Sequence, residues 1–125
     1  MTVHDDAVEA REVAEATMAP QAVPVNVYEA SEAMVVVAAM PAVTADDVQV
    51  ELRPGSLRFW SHLRCATTRE YLVREWSYGG YEREVPVPSG YGADLDATLA
   101  NGQLVVRVLR GSPCEETRSM HPHAM

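Results

Sequence analysis

Apolar and polar side chains alternate on both sides of a single turn in residues 95–109. Leu95, Ala97 and Leu99 are separated by Asp96 and Thr98, and Leu104, Val106 and Val108 repeat the spacing after the turn. That is the period of strands with one buried face. Between them stands Asn101-Gly102, a dipeptide that readily takes the two positive φ angles of a tight hairpin turn, so register and facing direction are both set here. The same alternation recurs upstream. Val25 and Val27 alternate with Asn26 and Tyr28, and Val48, Val50 and Leu52 alternate with Gln49, Glu51 and Arg53. Residues 33–40 form a nearly continuous apolar run, as a strand buried on both faces would. Pro54-Gly55 supplies a type II turn, after which residues 57–62 return as the second arm of a hairpin.

Two more strands are expected over residues 70–78 and 81–87, divided by Gly79-Gly80. Pro86 and Pro88 lack N–H groups, so the second should lie at a sheet edge or finish there. Six or seven short strands with no long helix among them predict an all-β chain folded as a β-sandwich. Residues 22–110 are assigned to that domain, residues 1–21 to an N-terminal arm and residues 111–125 to a C-terminal extension. The arm carries Asp5, Asp6, Glu9, Glu12 and Glu15 against Arg11, a local charge of five minus one, or −4. Ala10, Val13, Ala14, Thr17 and Met18 follow helical spacing behind the Asp5-Asp6 cap, but the stripe is small. A short helical or disordered arm is therefore expected. The extension is expected to be a disordered tail.

The closing hairpin also carries a resemblance. The run Ala97, Asn101-Gly102, Leu104 and Val106 resembles the A-x-x-x-n-G-x-L signature that ends the alpha-crystallin domain of small heat-shock proteins. Val25-Asn26-Val27-Tyr28-Glu29, Met40-Pro41-Ala42-Val43, Tyr71-Leu72-Val73-Arg74-Glu75 and the run from Tyr81-Glu82-Arg83 through Val85-Pro86-Val87-Pro88 follow in the family's order. The resemblance implies an immunoglobulin-like β-sandwich and an ATP-independent holdase that binds partly unfolded proteins and suppresses their aggregation. It further implies a homodimer by strand exchange, in which Tyr71, Leu72, Val73, Arg74, Glu75 and Trp76 of one subunit pair with the strand holding Val25 and Val27 of the other, with Arg83 near the interface. A groove lined by Val48, Val50, Leu52, Leu95, Ala97 and Leu99 would receive an I-x-I/V motif from a neighbour's tail, or a client. This chain has no Ile, and beyond Arg110 it has no Val or Leu either. The groove is therefore expected to be unfilled and partly exposed, and the assembly to be a dimer or small oligomer. The alternative is a cochaperone-type or crystallin-like binding module, an adaptor for one specific partner.

Charge and composition narrow the partners. The net charge of −8 leaves no basic cluster for nucleic acid or an anionic membrane surface, and the ten basic residues, all Arg, are scattered. There is no apolar run long enough to span a bilayer, and the N-terminus has acids where a signal peptide has bases, so a cytoplasmic protein is expected. Cys65 and Cys114 lack C-x-x-C spacing, which favours free thiols over a disulfide or zinc site.

The remaining candidates for chemistry have bland readings. His62 and Cys65 lack a visible orienting group or cleft, and His121-Pro122-His123 supplies two ligands where a metal site takes three or four. Asp46-Asp47, Asp94 with Asp96, and Glu115-Glu116 read as solvated acids. Tyr71, Trp76, Tyr78 and Tyr81 are interleaved with Glu70, Glu75, Glu82 and Glu84, which suits packing rather than stacking on nucleic acid. No catalytic residue, cofactor or metal is expected, and the chain is not expected to be an enzyme.

Overall fold

Asn101 and Gly102 have φ angles of 54° and 72°, the left-handed pair that a two-residue hairpin demands. They join the two longest strands among the described residues. Strand Tyr91–Ala100 runs against Gln103–Arg110 with Ala97 opposite Val106 and Leu99 opposite Leu104. In the computed structural model the described residues are 21–62, 70–75 and 80–124. Their strands, in chain order, are β1 (Gln21–Ala22), β2 (Val25–Glu29), β3 (Ala33–Ala39), β4 (Val48–Arg53), β5 (Ser56–Ser61), β6 (Tyr81–Pro86), β7 (Tyr91–Ala100), β8 (Gln103–Arg110), β9 (Arg118–Met120) and β10 (His123–Ala124).

They form two sheets of five strands, ordered β1-β6-β5-β4-β9 and β10-β7-β8-β3-β2. This is the expected β-sandwich. The inward faces of both sheets supply one core in which Phe59, Leu57, Val36, Met40, Leu104, Val106 and Val108 are wholly excluded from water. The apolar run of β3 is buried on both faces from Ala33 to Val36, as its composition predicts. Pro41 follows, and the Met40 amide donates to the Gly102 carbonyl at 2.8 Å, tying the end of β3 to the β7–β8 turn. Tyr81 is buried with its hydroxyl donating to the Pro41 carbonyl at 2.9 Å. A phenol can enter a core on those terms.

Two expectations fail. Residues 70–75 form no strand, whereas the alternation of residues 70–78 predicted one. The physical reason is that a strand is completed by a partner, and among the described residues no edge of this chain pairs with that segment. The extension is not a disordered tail: its residues 118–124 enter both sheets as β9 and β10. The helix expected in the arm lies outside the described residues, as do Cys65, Trp76 and Tyr78. No helix among the described residues is long and apolar enough to cross a membrane.

Phe59 is the largest side chain fully sealed in the core. Replacing it by Ala should lower the unfolding free energy by about 3–5 kcal/mol, read as a shift of the urea midpoint at constant slope. A change below about 1 kcal/mol, closer to the cost of a surface substitution, would mean that the core is packed elsewhere.

Candidate functional site: the two flanks of the sandwich

A β-sandwich has two open flanks, and this sequence treats them differently. On one flank β1 crosses to β2 through Val23 and Pro24, and Val23 is buried in the core. On the other, β9 crosses to β10 through His121 and Pro122, and Pro122 is buried. Each flank is thus bridged by a two-residue crossover with one apolar residue inserted between the sheets.

The first flank stays largely open. β1 pairs with β6 only at Tyr81 and Glu82, so the rest of β6 has no strand neighbour on that side among the described residues. β2 is the outer strand of its sheet and, among the same residues, pairs only with β3. Its Val27 and Tyr28 are 46% and 54% exposed. Between the two strands lies a cavity of about 340 Å³ lined chiefly by Val25, Val27, Met34, Val85 and Pro86. Arg83 stands at this cavity and donates to the Val23 carbonyl at 3.1 Å, rather than pairing with its neighbours Glu82 or Glu84. Those acids are taken by Arg58 and Ser56, at 3.1 and 2.6 Å. Leu72 is fully exposed and Val73 is 73% exposed. Large apolar side chains presented to water, together with an unpaired backbone edge, make a surface that gains by being covered.

The second flank is closed by the chain itself. β9 lies antiparallel on β4, with Val50 opposite Met120, Glu51 opposite Ser119 and Leu52 opposite Arg118. β10 lies parallel on β7, with His123 opposite Thr98 and Ala124 opposite Leu99. Met120 packs against the core. The His121 ring meets the Val48 carbonyl through Nδ1 at 2.7 Å, and a carbonyl only accepts, so the proton of that bond sits on Nδ1. Asp96 Oδ1 stands 3.7 Å from His123 Nε2.

The six residues assigned to the groove lie in or against one core, and five of them, contrary to expectation, are not partly exposed. Val48, Val50, Leu52, Ala97 and Leu99 are buried, Leu99 the least at 7%, and Leu95 is half-buried against the core. The five buried residues are inward positions of β4 and β7 in the core that both sheets share, and Met120 and the buried Pro122 lie beside that core at the flank. Met120 and Pro122 stand two residues apart, a signal too short to register as a period in the sequence.

The turn between β2 and β3 is pinned from across its sheet. Arg110 donates to the Ser31 carbonyl at 3.2 Å and to the Tyr91 hydroxyl at 2.7 Å, and its guanidinium stacks 4.7 Å from the Tyr91 ring. The Tyr91 hydroxyl donates in turn to Glu29 Oε1 at 3.1 Å, at the end of β2. Burial and the Glu29 carboxylate push the Tyr91 phenol above its ordinary value, with Arg110 acting in the opposite direction. The described residues contain no cluster of three or more His, Cys, Asp or Glu side chains that could hold a metal ion.

The sequence model of the Hsp20/alpha crystallin family matches residues 26–121. No curated protein matches the chain. Among solved structures, hspA from Xanthomonas axonopodis is 21% identical, with 77% of this chain and 100% of that one covered at a TM-score of 0.66. A small heat-shock protein from Xylella fastidiosa is 21% identical over 80% and 95% of the two chains, with a TM-score of 0.63. Heat shock protein 16.0 from Schizosaccharomyces pombe is 22% identical over 78% and 73%, with a TM-score of 0.61.

A phenol whose folded-state pKa is raised stabilises the fold fully below its unfolded value of 10.0 and loses that contribution as pH rises through the folded value. Stability should therefore fall above about pH 10, and Tyr91→Phe should remove the Tyr91 share of that fall. Chemical unfolding between about pH 8 and 11 measures both slopes; identical slopes in the two chains would refute the assignment.

Proposed function

Given that this chain belongs to the Hsp20/alpha crystallin family, we propose that it is an ATP-independent holdase that binds partly unfolded proteins and suppresses their aggregation. The observation that carries the reading is the open flank: a β2 edge unpaired among the described residues, with exposed Val27 and Tyr28 above an apolar cavity. A partly unfolded chain offers free N–H and C=O groups and alternate apolar side chains. A sheet edge can take both, the main chain supplying affinity and the pockets supplying selectivity.

The first partner of that edge is a second copy. Residues 71–75 present Leu72 and Val73 to water and belong to no strand of their own chain. Laid along β2 of another subunit, Tyr71, Leu72, Val73, Arg74 and Glu75, continuing into Trp76, would become the strand that their alternation predicts. Val25, Val27 and Arg83 would be their contacts. The pairing is reciprocal, so a homodimer by strand exchange results. The groove residues Val48, Val50, Leu52, Leu95, Ala97 and Leu99 form a second surface wherever an extended segment takes the place of β9 and β10. The net charge of −8 keeps a loaded complex soluble. None of this needs a reacting side chain, nucleotide, nucleic acid or membrane, and it suits a protein of the cytoplasm.

Heating a model client such as citrate synthase with a several-fold excess of this chain, without nucleotide, should hold light scattering near baseline. The chain alone should be dimeric or slightly larger by multi-angle light scattering, and Val27→Asp should shift it toward monomer and lower the protection several-fold. Full client aggregation at every ratio would contradict the holdase; an unchanged mass in Val27→Asp would contradict the β2 interface.

A further inference from the structure

Four of the five residues of β2 are exposed, and among the described residues the strand pairs only with β3. It buries too little apolar surface of its own to offset the entropy lost in holding its backbone extended. The turn that follows supplies little more. Ala30-Ser31-Glu32 contains no Gly, Pro, Asn or Asp, and Ser31 is its only turn-favouring residue. What fixes this turn is one residue from another strand. The Arg110 amide donates to the Glu32 carbonyl at 2.8 Å, Arg110 Nε to the Ser31 carbonyl at 3.2 Å, and Nη2 to the Ala30 carbonyl at 3.4 Å. All three carbonyls of the turn thus accept from Arg110, the last residue of β8. Nη2 also donates to the Tyr91 hydroxyl at 2.7 Å, and the Tyr91 ring is buried in the core. That hydroxyl passes its own proton to Glu29 Oε1 at 3.1 Å, at the last residue of β2. The opposite end of the strand follows Val23, which is sealed in the core and accepts from Arg83.

We propose that Arg110, with Tyr91 as its footing, is a positioning residue for the β2 edge: it holds the turn and Glu29 so that the strand stands extended in the single chain, ready for the segment that docks on it. The proposal rests on the reading that β2 receives residues 71–76 of a second copy. An edge that is already straight costs its partner no ordering, whereas an edge extended only part of the time binds more weakly by that fraction. The chemistry requires Arg. Its planar fork reaches the turn carbonyls and the phenol together while its face lies 4.7 Å from the Tyr91 ring, and the compact ammonium of Lys has neither the fork nor the flat face. The hold is also polar and lies at the margin of the sheet, so it governs β2 without contributing to the sealed core that stabilises the rest.

Arg110→Lys tests this, since it keeps the charge and the backbone amide and removes the fork. Tyr91→Phe keeps the ring and removes the hydroxyl that joins Arg110 to Glu29. The first measurement is amide hydrogen exchange on full-length Val27→Asp chains, held monomeric by dilution, with and without Arg110→Lys. The β2 amides that face β3, together with that of Ala30, should exchange at least about fivefold faster in the Arg110→Lys chain, while β4 and β5 are unchanged. A role confined to overall stability would speed every strand alike, so equal acceleration in β4 and β5, or none in β2, overturns the proposal. The second measurement is sedimentation equilibrium on chains that keep Val27. Arg110→Lys should raise the dimer dissociation constant about fivefold or more, and Tyr91→Phe by a smaller factor; an unchanged constant in Arg110→Lys overturns the link from the turn to docking. Failure of the second-copy reading shows separately, as a monomeric unaltered chain, and the exchange comparison, made on monomers, then decides the role of Arg110 by itself.

Discussion

Every backbone N–H and C=O at the margin of a sheet must find a partner or face water, and a sandwich of two open sheets has four such margins. That constraint organises this molecule. Two margins are met by short strands from the chain's own extension, β9 on β4 and β10 on β7. A third is met for two residues by β1 on β6, and the fourth, β2, is left unpaired among the described residues. The closed flank and the open flank are consequences of the same requirement, met from within the chain on one side and left unmet among the described residues on the other.

The asymmetry has a chemical side. Where the flank is closed, the inserted residues are Met120 and Pro122, with His121 reaching back to a main-chain carbonyl. Where it is open, the outward residues are Val27 and Tyr28, and the cavity beneath them is largely apolar, with Glu29 and Arg83 at its lining. Arg83 is held on the Val23 carbonyl, so its guanidinium is fixed to the crossover and does not fold across the exposed edge. The exposed ion pairs, such as Arg58 with Glu82 at 3.1 Å, add at most about 1 kcal/mol each. The stability of the sandwich therefore comes from its sealed core, and its surface charge serves solubility.

The hairpin at Asn101-Gly102 was legible in the sequence because turn chemistry and a period of two agree over a long stretch; β2, β4 and β5 were legible from alternation and turns, β3 from its continuous apolar run, and β6 from the Gly79-Gly80 break before it and the prolines at its end. The family resemblance lay in blocks on those same strands. The extension was not legible as structure: β9 and β10 hold three and two residues, too few for a period to register, and the apolar positions there are Met120 and Pro122 rather than β-branched residues. Residues 70–78 carried the opposite error. Their alternation is real, but alternation reports a face that suits a strand, and within the described residues of one chain residues 70–75 are not part of either sheet. The six residues assigned to the groove lie in or against the core that both sheets share, and their burial was missed because an alternating pattern marks an inward face without telling what covers its margin.

Native-state hydrogen exchange on the full-length chain tests the difference between the flanks most directly. The account predicts that the β4 amides facing β9 exchange slowly and in step with β9 itself, and that the outward amides of β2 exchange fast in dilute solution and slow down as concentration rises. Fast exchange along β4 together with concentration-independent protection of β2 would contradict it.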